Sequence, residues 1–130
     1  MIKCIAKVYY NQKTTLPVKI RNEIKVKDYD VVKWIYNSNK DYVKVEFLQE
    51  KDLDIDDYHN QIFFDGDLMI LYRRISLKKI MHFPAEISKS INFNYLKDFI
   101  EWYVNKKGEI YLRKYLKGDL MDISGILKGD

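Results

Sequence analysis

Two cations bracket a corner close to the start of the chain. Lys13 precedes the run Thr14-Thr15-Leu16-Pro17, and Arg21 lies four residues past the proline. The threonines and the leucine suit an extended backbone. Pro17 has no N–H to lose and its φ is already helical, so it fits a first helical position. A tight strand-to-helix turn presents Lys13 and Arg21 on one rim, which suits an anionic partner. The bland reading of Arg21 is a solvated helix cation.

Other residue types that could do chemistry lack the spacing for it. His59 and His82 are the two histidines, and neither has a partner at recognised ligand spacing. His82, inside a second corner, reads as structural or exposed. The run Asp52-Leu53-Asp54-Ile55-Asp56-Asp57 invites a calcium loop, but its sixth position is Asp57 rather than Gly and its twelfth is Phe63 rather than Glu. No glycine-rich phosphate loop, Gly-x-Ser-x-Gly elbow or Ser/His/Asp order can be made out. Carboxylate pairs such as Asp28 with Asp30 are expected in any chain this charged. The expectation is therefore no catalytic residue, no metal and no cofactor. The eleven tyrosines could stack on bases, though packing on strands is the simpler use.

The elements that position the corner follow from local patterning. Residues 3–10 read as a strand, Asn11-Gln12 as a turn, and 13–16 as a returning strand. A helix over 17–24 shares Ile20 and Ile24 on one buried face. A turn at 28–30 leads to a buried strand at 31–36. A hairpin loop at 37–39 follows, then a half-buried strand in which Val43, Val45 and Phe47 alternate with Lys44 and Glu46. A module this small buries little surface alone.

The corner recurs. Lys79-Ile80-Met81-His82-Phe83-Pro84-Ala85-Glu86-Ile87 copies it at an offset of 67, matching Pro17 to Pro84, Ile20 to Ile87 and Ile24 to Ile91. Lys7-Val8 matches Arg74-Ile75. One extra residue near 94–96 then aligns Asp30 with Asp98, Trp34 with Trp102 and Asn37 with Asn105, before the offset returns to 67 at Val43 and Ile110. The second copy has Ile80 and Ser88 where the first has Lys13 and Arg21. The expected organisation is a first repeat over 1–49, an acidic connector over 50–67, a diverged second repeat over 68–115 and a tail over 116–130. Leu120, Ile123 and Leu127 of the tail could form a docking helix. In the connector, Asp65-Gly66 signals a turn between strand-like runs.

The first 47 residues or so resemble the AbrB/MazE/SpoVT swapped-hairpin DNA-binding domains. Those domains carry a basic residue, a short β-branched run, Ile/Leu-Pro, and a helix with Arg four residues past the proline. Lys13, Thr14-Thr15, Leu16-Pro17 and Arg21 occupy these places, followed by an acidic turn and two strands. Gln12 and Glu23-Ile24 depart from the usual Gly and Leu-Gly. The resemblance implies a mainly β fold with short helices: a swapped-hairpin barrel, built here as a single-chain pseudo-dimer. It also implies transcriptional regulation through double-stranded DNA. Lysine and arginine neutralise phosphates, and arginine reads guanine edges. The contact set expected from the first copy is Lys13 and Arg21, supported by Lys7 and Lys19. From the second copy it is Arg73, Arg74, Lys78, Lys79 and Lys89.

Charge is consistent with this and also supplies an alternative. The net charge is +4, but residues 50–67 hold seven acids and one lysine, so +5 falls on each flanking portion. An acidic connector would repel nearby DNA. That, with the lost rim cations, favours a protein-interaction module that no longer binds DNA, antitoxin-like or structural. No run approaches the ~20 apolar residues of a membrane span, and residues 1–7 lack a signal-peptide core. Cys4 is the single cysteine, so no internal disulfide forms, which fits a cytoplasmic setting. A further homodimer of two pseudo-dimers is left open.

Overall fold

A computed structural model describes residues 2–9, 11–40, 42–76 and 80–115. Lys78, Lys79 and the expected tail helix lie outside the described residues. The fold is mainly β and antiparallel. Its strands are β1 (Ile2–Ala6), β2 (Lys13–Thr15), β3 (Val31–Asn37), β4 (Val43–Leu48), β5 (Ile62–Asp65), β6 (Leu68–Arg74), β7 (Ile80–His82), β8 (Ile100–Val104) and β9 (Ile110–Lys114). Two short helices, α1 (Val18–Ile24) and α2 (Ala85–Ser90), follow β2 and β7. Each is preceded by a proline in extended conformation, Pro17 or Pro84, whose carbonyl accepts a first-turn N–H, from Arg21 or Ser88, at 3.0 Å.

Seven strands form one sheet in the order β1-β8-β9-β4-β3-β6-β5, and β2 pairs with β7 in a separate ribbon. The β8–β9 hairpin of residues 68–115 thus lies between β1 and β4 of residues 1–49, and the β4–β3 hairpin of residues 1–49 lies between β9 and β6. The registers of the two sets correspond. Cys4 faces Trp102 as Leu71 faces Trp34, and Ile2 faces Val104 as Met69 faces Tyr36. The β4–β9 ladder is centred on Lys44 and Tyr111, and the ribbon on Thr14 and Met81, both pairs 67 residues apart. Left-handed residues close both helices, Lys25 (φ 50°) and Asn92 (φ 54°). In both hairpins an asparagine carboxamide accepts the N–H two residues on, Asn37 from Asn39 (2.9 Å) and Asn105 from Lys107 (3.0 Å).

The expected barrel is not formed: the seven-stranded sheet is open, with β1 and β5 at its edges. Closure would need β2 and β7 to bridge those edges, but each is three residues long and pairs with the other. The connector strand β5 instead takes the outer side of β6, joined through a left-handed Gly66 (φ 58°). The first strand is also shorter than expected. It stops at Ala6, because the chain turns toward the ribbon and buries Val8.

The main apolar core lies between one sheet face and the layer of helices and ribbon, and Tyr103 and Tyr111 form a second, small buried cluster with Tyr42 packed against it. Trp34 is fully buried, edge-on to Phe83 (centroids 5.5 Å apart) and 6.4 Å from Trp102. Its two ring partners both come from the second half of the chain, so the halves share this core.

Candidate nucleic-acid interface

The ribbon is where the two corners meet. Tyr9 N–H donates to the Lys13 carbonyl (3.0 Å), and Gln12 adopts a left-handed φ of 66° to make the turn. The second hairpin is closed by the corresponding bond, from Ser76 N–H to the Ile80 carbonyl (3.2 Å). The central ribbon residues Thr14 and Met81 are buried. Alternation therefore turns Lys13, Thr15 and His82 outward, and all three are exposed. Lys13 stands directly opposite His82. The Thr14 hydroxyl donates to the Lys7 carbonyl (2.9 Å), which ties the ribbon to the strand before it.

Two depressions flank the ribbon. The larger, about 480 Å³, is lined by Lys13, Arg74, Ser76 and His82 over Ile75, Ile80 and Met81. The smaller, about 270 Å³, is lined by Tyr9, Asn11, Lys13, Thr14, Thr15 and Ile80. Lys13 borders both. Lys7 Nζ lies 5.5 Å from the centroid of the exposed Tyr9 ring, a cation–π contact at the margin of the smaller depression.

The expected contact residues divide into two groups. Lys7, Lys13, Lys19, Arg21 and Lys89 are exposed, and none has a carboxylate partner among the described residues. Lys19 and Arg21 project from α1 and Lys89 from α2, outside both depressions. The sheet treats its cations differently: Lys33 pairs with Glu46 (3.6 Å) and Lys44 with Glu109 (3.0 Å). The Lys44 ammonium holds the Glu109 carboxyl below the usual carboxylate range, helped by Asn105, and Glu109 in turn raises Lys44.

Arg73 and Arg74 are engaged by acids. The Arg73 side chain is only 15% exposed, donates to the Tyr72 carbonyl (2.8 Å) and lies 4.0 Å from Glu86 of α2. Burial lowers it below the usual guanidinium value, against the opposing pull of Glu86. Arg74 is exposed, yet its Nη2 donates to Glu50 (3.1 Å) and its Nε to the Tyr58 hydroxyl (3.3 Å). The Tyr58 hydroxyl donates in turn to Glu50 (2.8 Å). The Tyr58 hydroxyl, and then Arg74, hold the Glu50 carboxyl below its usual range. Of the connector's acids, Glu50 is thus the one paired with an expected contact residue among the described residues.

His82 is the residue that sequence reasoning missed as a candidate. Its place in the sequence, where the first copy has Thr15, carries no signal of chemistry; only the ribbon sets it opposite Lys13. Among the described residues no cluster of three or more His, Cys, Asp or Glu could hold a metal ion, and no helix is long and apolar enough to cross a membrane.

A stretch of 44 residues is 41% identical to the repressor-like protein SSo7c3 of Saccharolobus solfataricus. It covers 34% of this chain and 85% of that protein, which is therefore less than half as long as this one. No family model and no solved structure matches the chain.

Proposed function

Because the chain belongs to the family of the repressor-like protein SSo7c3, we propose that it is a transcriptional regulator of the AbrB type that grips double-stranded DNA with the ribbon and the two corners. The observation that carries this reading is the unequal treatment of positive charge. On the sheet, Lys3, Lys33, Lys44, Arg73 and Arg74 each have an acid within 4.0 Å and Lys114 donates to the Asn92 carbonyl, whereas Lys7, Lys13, Lys19, Arg21 and Lys89, on or beside the corners, are left open to solvent. Uncompensated cations attract phosphate and release counterions on binding. On this reading the protein is a binder rather than an enzyme, and it acts in the cytoplasm on DNA.

We read the architecture as a duplicated swapped-hairpin module, with repeats over 1–49 and 68–115 joined by the connector. Matching strand registers, paired left-handed helix ends and twin hairpin bonds support this. A relative of less than half this length is what a single copy would be. A second reading, an interaction module without DNA binding, draws on Arg73 and Arg74, whose guanidinium groups are already met by Glu86 and Glu50.

Affinity for mixed-sequence duplex DNA, measured across salt concentration, separates the two. The regulator binds at low salt, and log affinity falls linearly with log salt at a slope of about −0.9 per phosphate contacted. Absence of binding even at low salt overturns it in favour of the interaction module.

A further inference from the structure

We propose that the 480 Å³ depression is a phosphate subsite in which Lys13, Arg74 and His82 hold one phosphate group, with an occupancy that rises as His82 is protonated. The DNA-binding reading supplies the source of that phosphate, a backbone phosphodiester; the subsite chemistry holds equally for free phosphate.

Three basic side chains from three strands, β2, β6 and β7, line one depression. Lys13 and His82 face each other across the ladder, both exposed, with no carboxylate partner among the described residues. Like charges directly opposite in a sheet are destabilising, and an anion between them converts that repulsion into attraction. Arg74 is held in place: Glu50 and Tyr58 occupy its Nη2 and Nε, and its guanidinium lies 5.7 Å from the Tyr58 ring centroid. A guanidinium fixed along one edge loses little freedom when another N–H meets an oxygen. Ser76, whose hydroxyl accepts the Ile80 N–H (3.0 Å), adds a hydroxyl to the lining.

Among the described residues, the charged and titratable groups that share the ladder or the depression with His82 are Lys13 and Arg74, with Glu50 and Tyr58 bonded to Arg74. Glu86 of α2 pairs with Arg73 instead. A neutral imidazole offers one N–H, and an imidazolium offers two with a full charge, a change that falls between about pH 5 and 8. The smaller depression does not duplicate the subsite. Thr15 stands there in place of His82 and Tyr9 in place of Ser76. Among the described residues there is therefore one such subsite rather than two, and the two sides of the ribbon are unlike.

Two measurements on the intact chain test this. The first follows the imidazole resonances of His82 and His59 while inorganic phosphate is added, with His59, beside Asp57, as internal reference. Phosphate is expected to shift His82 and raise its titration midpoint, and to leave His59 unmoved. The second compares duplex binding at pH 6 and pH 8 in wild type and His82→Gln. Wild type should gain about one phosphate contact at pH 6, seen as a salt slope steeper by about 0.9, and His82→Gln should gain none. Duplex binding whose pH dependence survives His82→Gln overturns the subsite and leaves DNA binding standing. Phosphate that moves His82 in a protein that binds no duplex keeps the subsite and overturns the DNA-binding reading.

Discussion

Replacing Trp34 with alanine tests whether the two halves of the chain fold as one unit. Trp34 is fully buried on β3, and its ring neighbours Phe83 and Trp102 belong to the other half. Truncating a buried tryptophan costs about 3–5 kcal/mol, the sum of lost transfer energy and residual cavity. For a domain of this size that corresponds to a fall in Tm of about 10–20 °C. The edge-on contact with Phe83 adds coupling of about 0.5–1.5 kcal/mol. A double-mutant cycle with Phe83→Ala, read by urea denaturation, should recover that coupling, because the rings touch. Unfolding should remain a single transition in every variant. The reasoning is refuted if Trp34→Ala yields two transitions, with residues 68–115 melting as in wild type, or if the cycle returns no coupling.

Arg21→Ala should weaken duplex binding about tenfold more than Lys89→Ala, since an arginine reading a base edge contributes about 1–3 kcal/mol of discrimination; equal losses in a binding titration would remove this asymmetry. Thr14→Val should cost about 1–2 kcal/mol in chemical denaturation, because it strands the Lys7 carbonyl beside a buried position. Glu109→Gln should lower stability at pH 7 by less than about 1 kcal/mol, the pair with Lys44 being part-exposed. The sign follows from the depressed Glu109 carboxyl: its contribution is present above the unfolded carboxylate pKa of about 4.3 and is lost as pH falls through the lower folded value. Thermal melts should therefore show the gap between variant and wild type closing below about pH 4, and a gap that persists at pH 2.5 contradicts the assignment.

Local order was legible because it is set by near neighbours. Pro17 and Pro84 marked the helix starts, Asp65-Gly66 marked the hairpin between β5 and β6, and Val43, Val45 and Phe47 alternated as β4 requires. The prolines 67 residues apart, Pro17 and Pro84, each precede a short helix, and the tryptophans 68 apart, Trp34 and Trp102, each lie on a strand with a neighbour on both sides. Closure of the sheet was not legible, since it depends on whether three-residue strands pair with each other or with distant edges. Nor was the fate of the basic residues. Arg74 counts as a free cation in the sequence, and only folding brings Glu50, 24 residues away, to its guanidinium. His82 had no neighbour in sequence to suggest chemistry, because Lys13 and Arg74 reach it through the ribbon and β6.

Mapping backbone amide shifts on addition of a short duplex tests the central claim most directly. The account predicts that the largest changes fall at residues 7–15, 18–21 and 80–89, the ribbon and its corners. Changes confined to the outward sheet residues Lys33, Lys44 and Tyr72, or no changes at low salt, would contradict it.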